Sequence, residues 1–314
     1  MSIKLTWQND NVGADAVNIY RASAAFDRSE LPVALTTLAG NATEFVDDTT
    51  TFNEVFFYRV GIVTGTEEAV GELKSFLDLP YTGPGPQTIL RGQPHLLGYY
   101  GSLRQDEFIF SGQLMLAVGL DPLRIHSLQD GIDQQIWHKM VYKGKVLYIP
   151  EVAVAINGPS WEELYSKGLV YGDDTVGLAP VGEPRVQDAR VTVKDATFAV
   201  RLFKGADTVF SEDAPPSGAV PDDTSEFSEI MYRLHRDTPL RESTVLSVKA
   251  ATASGWGWVQ DHTTNSDGTV SNNRVLRGID ENPNGSFFYD RVARTAATVT
   301  AQEWLPVLEY RPNE

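Results

Sequence analysis

At the start of the chain, apolar and polar positions alternate in short runs broken by turn signals. Ile3, Leu5 and Trp7 alternate with Lys4 and Thr6, the period of two expected of a strand with one buried face. After the turn-rich Asn9-Asp10-Asn11 and Gly13, Val17 and Ile19 alternate with Asn18 and Tyr20 and predict a second strand. Leu38-Ala39-Gly40-Asn41 predicts a turn. Phe45-Val46 predicts a short strand closed by Asp47-Asp48, and Val55-Phe56-Phe57-Tyr58-Arg59-Val60 a longer one. Turn signals recur about every ten residues, as in a β-sandwich. Trp7, Tyr20 and Tyr58 are read as its core aromatics.

Leu79-Pro80-Tyr81-Thr82-Gly83-Pro84-Gly85-Pro86 interrupts this pattern. Its prolines cannot continue a helix or a central strand, so it predicts a domain boundary. The expected organisation is a sandwich over 1–79, a Pro/Gly linker over 80–87 and a larger β-rich domain over 88–314.

In the larger domain, Ser111 is expected to cap a short helix through Leu114, Leu116 and Val118, stopped at Gly119. Trp137 to Tyr142 and Lys145 to Ile149 flank Lys143-Gly144, a hairpin signal. Ser160 with Glu163 forms a capping box before a helix through Trp161, Leu164 and Tyr165 that ends at Gly168. Leu169-Val170-Tyr171 reads as a strand edge. Val191, Val193 and the run Phe198 to Leu202 read as further strands. A second capping box, Asp223 with Glu226, precedes Phe227, Ile230, Met231 and Leu234 at helical spacing. Gly255 to Val259 and Arg274 to Arg277 are strand-like. The closing Trp304-Leu305-Pro306-Val307-Leu308-Glu309-Tyr310 predicts an end tied into a sheet. The fold class is therefore mainly β, with a few short helices.

Composition sharpens this picture. The chain has 314 residues and a net charge of -16, which disfavours nucleic acid as a partner. It contains no cysteine, so disulfides and thiolate metal sites are excluded. No run approaches the ~20 apolar residues of a membrane span. MSIKLTWQND is not a secretory signal, so the expected compartment is a reducing cytoplasm, left if at all by lysis.

Little in the sequence points to catalysis. His95, His126, His138, His235 and His262 lack metal-ligand spacing. There is no nucleophile elbow, Walker loop or dinucleotide fingerprint. Asp173-Asp174, Asp222-Asp223, Asp280-Glu281 and the Asp261 to Asp267 loop carry oxygen ligands for Ca²⁺ without EF-hand spacing, and read as solvated loop charge. No catalytic residue, cofactor or metal is assigned. The candidate interaction surface is aromatic: Trp256, Trp258, Phe287, Phe288 and Tyr289 cluster in turn-rich sequence. They are weighed as a sugar-binding platform against a core or subunit interface, and the second is favoured.

Two resemblances extend this reading. Leu5-Thr6-Trp7, Val17-Asn18-Ile19-Tyr20-Arg21, Phe45-Val46-Asp47 and Phe57-Tyr58-Arg59-Val60 together resemble a fibronectin type III (Ig-like) domain over about 1–78, which implies an interaction and spacer module. An ordered set of segments over roughly 88–314 resembles a family of tailed-bacteriophage virion structural proteins. The set comprises Leu90-Arg91-Gly92 with Gly98-Tyr99-Tyr100-Gly101, Lys143 to Pro150, Ser160 to Gly172, Ser225-Glu226-Phe227 before Met231 to Leu234, Trp258-Val259-Gln260, Arg274 to Gly278 and Trp304 to Glu309. The family has Trp where Phe227 stands, a change that keeps an aromatic anchor.

This second resemblance implies a non-catalytic virion component: a tail, neck or baseplate appendage, or a tail-fibre attachment protein. Capsid decoration, or a receptor- or glycan-binding module for host attachment, are the alternatives. It implies location in the virion, other virion proteins and copies of itself as partners, and a host-surface glycan as a further one. A polysaccharide-degrading β-helix would need short repeats, and none runs through the chain.

Overall fold

A computed structural model describes residues 2–11, 13–124, 135–155, 158–179, 183–207, 209–211, 218–219, 224–237, 256–281, 287–300 and 302–312. The protein is mainly β, 43% strand and 9% helix, and it divides into two compact units. The first comprises 1–82 with 89–98 and 141–145; the second comprises 83–88, 99–140 and 146–314. Residues 89–98 and the 141–145 hairpin tip, read from sequence as part of the larger domain, therefore pack with the first unit.

The first unit contains β1 (Ile3–Thr6), β2 (Ala16–Ala22), β3 (Ala34–Ala39), β4 (Glu44–Asp47), β5 (Val55–Thr64), β6 (Glu67–Val70) and β7 (Lys74–Leu77). β1 and β4 form a two-stranded sheet. The other sheet runs β3-β2-β5-β6, with β7 also paired to β5. The expected alternation holds in β1, where Ile3 and Leu5 are buried and Lys4 and Thr6 exposed. Ile3, Leu5, Val17, Ile19, Phe56 and Tyr58 form the core. Two expectations shift. Leu38 and Ala39 belong to β3, so the turn starts at Gly40. Trp7 packs against the core but is only partly buried.

One carboxylate ties the strands of this unit together. Asp47 of β4 is 1% exposed. It accepts hydrogen bonds from the Tyr58 hydroxyl of β5 (2.8 Å), from Arg21 Nη1 of β2 (2.7 Å), and from the amide and hydroxyl of Thr49 (3.0 and 2.7 Å). Burial alone would raise its pKa. The bonds from Thr49, Tyr58 and Arg21 outweigh burial and hold the carboxyl below the usual range. Its contribution to stability is therefore present above the ordinary carboxylate pKa, and is lost as pH falls through the lower folded value.

The second unit holds most of a seven-stranded sheet ordered β12-β13-β19-β11-β10-β9-β8. Its strands are β8 (Arg91–Gly92), β9 (Leu97–Arg104), β10 (Ile136–Tyr142), β11 (Lys145–Pro150), β12 (Arg190–Val193), β13 (Ala196–Arg201) and β19 (Val307–Arg311). The predicted hairpin is β10–β11. Lys143 (φ 48) and Gly144 (φ 83) supply the positive-φ pair of a two-residue turn. Lys194 (φ 49) and Asp195 (φ 64) do the same between β12 and β13, without a glycine to announce it. Phe108 stacks on Tyr148 at 4.5 Å and meets Trp137 and Phe198 edge-on at 5.3 Å each, forming an aromatic core on this sheet.

A second sheet of this unit has five strands, ordered β14-β16-β17-β18-β15. They are β14 (Phe210–Ser211), β15 (Gly218–Ala219), β16 (Trp256–Thr264), β17 (Val270–Glu281) and β18 (Phe287–Ala296). Among the described residues three α-helices accompany the sheets: α1 (Ser111–Ala117), α2 (Trp161–Ser166) and α3 (Glu226–Asp237).

The helix caps partly match the sequence reading. Ser160 caps α2 as expected, its hydroxyl accepting from the Glu163 amide at 3.0 Å. Ser111 is instead the first residue of α1, whose cap position is Phe110 with no side-chain bond. The cap of α3 is Ser225, whose hydroxyl accepts from the Ser228 amide at 3.3 Å. Asp223 lies outside the described residues. Leu169-Val170-Tyr171 forms no strand; the Leu169 amide bonds to the Leu164 carbonyl at 3.0 Å and closes α2.

The expected linker is held in place within the second unit. Lys139 of β10 is fully buried, and its ammonium donates to the carbonyls of Gly83 (3.1 Å), Pro84 (3.0 Å) and Pro86 (2.7 Å). It also lies 5.1 Å from the ring centre of Tyr100 and 5.6 Å from that of Tyr148. Gly83 and Gly85 take positive φ (85° and 81°). A Cβ at Gly85 would come within 2.5 Å of Leu103, so this turn requires glycine. The prolines that remove backbone donors thus serve as acceptors. Burial pushes the Lys139 pKa down to about 7. Lys139→Met should leave these carbonyls without their donor and destabilise the protein by about 1–3 kcal/mol. Limited proteolysis should cut within 83–88 in this variant and spare the parent; equal cutting of both would show that Lys139 does not hold the segment.

Candidate functional site

The aromatic candidates fall on the five-stranded sheet. Trp256 of β16 pairs with Gly278 of β17, while Phe288 and Phe287 of β18 pair with Asp280 and Glu281. The backbone thus brings Trp256 and the Phe287–Tyr289 segment to the same end of β17. The side chains of Trp256, Phe287, Phe288 and Tyr289 lie outside the described part of the structure. Trp258 does not belong to a surface: it is 1% exposed, and its indole N–H donates to the Pro159 carbonyl at 3.1 Å. The adjoining Gly257 bridges to Glu303, and the Trp258 amide bonds to the Glu303 carbonyl at 3.3 Å.

What the sheets enclose is charge. Arg201 of β13 is 5% exposed. It donates to both oxygens of Glu226 on α3 (2.7 and 2.6 Å), to Glu309 Oε2 of β19 (2.8 Å) and to the Leu202 carbonyl (3.0 Å). The Lys204 amide adds a bond to Glu226 at 3.0 Å, and Arg311 pairs with the other oxygen of Glu309 at 2.9 Å. The planar guanidinium suits this two-pronged arrangement. The two carboxylates outweigh burial and push the Arg201 pKa further up.

Two further arginines are buried on β17. Arg274 donates to the carbonyls of Ser271 and Asn273 (2.8 and 3.0 Å) and lies 4.3 Å from the ring centre of Trp161. Arg277 donates to the Gly205 carbonyl at 2.9 Å and to the Ser228 hydroxyl, with its guanidinium 5.2 Å from the ring centre of Phe227. Asp261 of β16 accepts from the Gly205 amide at 2.6 Å; burial pushes its carboxyl up to about 6, against the pull of that bond and of Lys204 and Arg277.

One row of titratable groups has the outline of a proton relay. Tyr99 Oη lies 3.2 Å from His138 Nδ1, and His138 Nε2 lies 3.5 Å from Glu151 Oε2. His138 is fully buried. Burial pushes the Tyr99 phenol up to about 12, the opposite direction to that of an activated nucleophile. His95 accepts or donates a bond with Ser75 Oγ at 2.7 Å, and burial lowers its pKa. His126 and the side chain of His235 lie outside the described residues.

Of the acidic candidates, Asp173 and Asp267 are bonded locally. Asp173 accepts from the hydroxyl and amide of Thr175, and Asp267 from those of Thr269. Asp222, Asp223 and the side chains of Asp280 and Glu281 lie outside the described residues. Among the described residues no cluster of His, Asp or Glu is placed to hold a metal ion, and no helix is long and apolar enough to cross a membrane.

Sequence reading missed Lys139, Arg201, Glu226, Arg274, Arg277 and Glu309. The available signal was clearest at Arg201 and Glu309, each of which interrupts an apolar run in a strand. Comparison with known proteins found no matching family model, no matching curated protein and no matching solved structure.

Two substitutions test this interior. Arg201→Ala should leave Glu226 and Glu309 buried without their shared cation and destabilise the protein by about 3–5 kcal/mol in urea unfolding; a loss below about 1 kcal/mol would place the pair in water. Asp261→Asn keeps an acceptor for the Gly205 amide. The raised folded pKa means that the Asp261 contribution is full below the ordinary carboxylate value and is lost as pH rises through about 6. The melting temperature of the parent relative to this variant should therefore fall between pH 4 and 6.5, and a pH-independent difference would contradict the assignment.

Proposed function

We propose that this chain is a non-catalytic structural component of a tailed-bacteriophage particle, serving as a tail, neck or baseplate appendage or as a fibre-attachment protein. The single observation that carries the reading is the ordered resemblance of segments between residues 88 and 314 to virion structural proteins. The described interior is consistent with it. Lys139, Arg201, Arg274 and Arg277 are directed at carbonyls, carboxylates and rings that hold strands together. The first unit, on this reading, is a fibronectin type III-like spacer whose role is attachment. Copies of the chain meet around a symmetry axis of the particle, through the end of the five-stranded sheet that carries Trp256 and Phe287 to Tyr289.

The test is direct. Particles purified after lysis by the phage carrying this gene should contain the protein in stoichiometric amount by mass spectrometry. Its absence from washed particles, with the protein still present in the lysate, would sink the proposal.

A further inference from the structure

Three observations meet on one side of the first unit. First, among the described residues β1 is bonded to β4 alone. Its register runs from Ile3↔Asp47 to Thr6↔Glu44, and continues with the Trp7 amide on the Thr43 carbonyl at 3.0 Å. In an antiparallel pair alternate residues face the partner. Ile3, Leu5 and Trp7 therefore direct their amides and carbonyls at β4, and Lys4 and Thr6 direct theirs away, along an edge where this sheet has no further strand. Second, a cleft of about 170 Å³ lies beside that edge, lined by Leu5, Trp7, Tyr58, Val60 and Phe76, with the exposed Glu72 and Lys74 nearby. No residue of β4 lines it, so it lies on the open side of β1. Third, the indole N–H of Trp7 is shielded from solvent and has no hydrogen-bond partner among the described residues.

An unsatisfied, shielded N–H is costly, and tryptophan N–H groups in such places ordinarily find an acceptor. The cleft compares with the ~150 Å³ that accommodates a benzene ring, enough for one large or two small apolar side chains. The exposed edge asks for donors and acceptors at strand spacing. A single small molecule could fill the cleft but would leave the strand edge unpaired. An extended peptide meets all three: its backbone pairs with Lys4 and Thr6, a carbonyl reaches the Trp7 indole, and every second side chain enters the cleft.

We propose that the free edge of β1 accepts an extended segment of a partner polypeptide, with apolar residues at alternate positions, as a third strand of the β1–β4 sheet. A second copy of this chain presenting its own β1 fits poorly. Its Ile3 and Leu5 already lie in its own core and are not free to fill the cleft. This inference does not depend on the phage reading.

The probe is a synthetic peptide of about seven residues alternating valine and threonine, a usual strand length, titrated into the full-length protein and followed by NMR and amide exchange. The expected result is a saturable shift of the Trp7 indole N–H and about tenfold slower exchange at Lys4 and Thr6. Leu5, already bonded to β4, should not change. The same peptide N-methylated at alternate residues should not bind, because it loses the donors on one edge. Thr6→Pro removes the outward amide while sparing the β4 pairing; it should abolish binding with the melting temperature little changed. If that variant fails to fold, Trp7→Phe keeps an aromatic ring, removes the N–H and should weaken binding about tenfold. The proposal is overturned if Lys4 and Thr6 are already protected in the free protein, if protection rises with protein concentration alone, or if millimolar peptide produces no shift. Equal affinity of Trp7→Phe or of the N-methylated peptide would overturn it as well.

Discussion

The second unit depends on a late segment of chain placed at the centre of its main sheet. β19 lies between β13 and β11, with Phe198 opposite Tyr310 on one side and Tyr148 opposite Leu308 on the other. Just before it, the Trp304 amide bonds to the Ala155 carbonyl at 3.0 Å, and the Trp258 amide to the Glu303 carbonyl at 3.3 Å. The same stretch therefore joins the seven-stranded sheet to the five-stranded one. Glu309 fixes its register, because only in this alignment does its carboxylate meet Arg201, which in turn holds α3 through Glu226. A purely apolar β19 could slide by two residues and still bury its side chains; a buried acid facing a buried guanidinium cannot.

The remaining buried cations follow another rule. Lys139 and Arg274 are met by carbonyl oxygens and aromatic faces, with no carboxylate bonded to either among the described residues. At the glycine–proline turn the carbonyls are acceptors that the sheets do not use, so Lys139 satisfies the turn and orients it at once, whereas Arg274 meets carbonyls of its own strand. The glycine–proline segment shows the benefit. Each of its carbonyls that meets Lys139 belongs to a residue with restricted or unusual φ, and the ammonium gathers them from one side. These groups shape the backbone, and their surroundings hold it stiff.

Much of the architecture was legible from alternation. Ile3 to Thr6 and Val17 to Tyr20 read as strands because their side chains alternate every two residues, and Val55 to Val60 because it is an aromatic and β-branched run, buried at Phe56 through Arg59. The β10–β11 hairpin was marked by Lys143-Gly144, and the tethered end by its apolar run. The hairpin at Lys194-Asp195 was invisible, because its left-handed turn uses no glycine. Capping boxes were less dependable: Glu226 has the right spacing, yet its carboxylate turns inward to Arg201, a partner far away in sequence. That is also why the charged interior could not be read. A lysine or arginine in an apolar strand looks like an outward position until the fold supplies its acceptors. Trp258, weighed from sequence between a sugar platform and the favoured core or subunit interface, is buried, with its indole N–H on the Pro159 carbonyl.

Placing β19 at the centre of the sheet has a bearing on how the protein is made. While a ribosome is still translating toward residue 311, β11 and β13 stand apart, each with an unpaired edge and apolar side chains such as Leu147 and Val200 that are fully buried in the finished fold. Strands in that condition attract other strands. A chain released early keeps them open permanently, so truncated products should be recognised as misfolded and cleared. Whatever assembly this protein enters, it then draws only on molecules whose translation ran through β19.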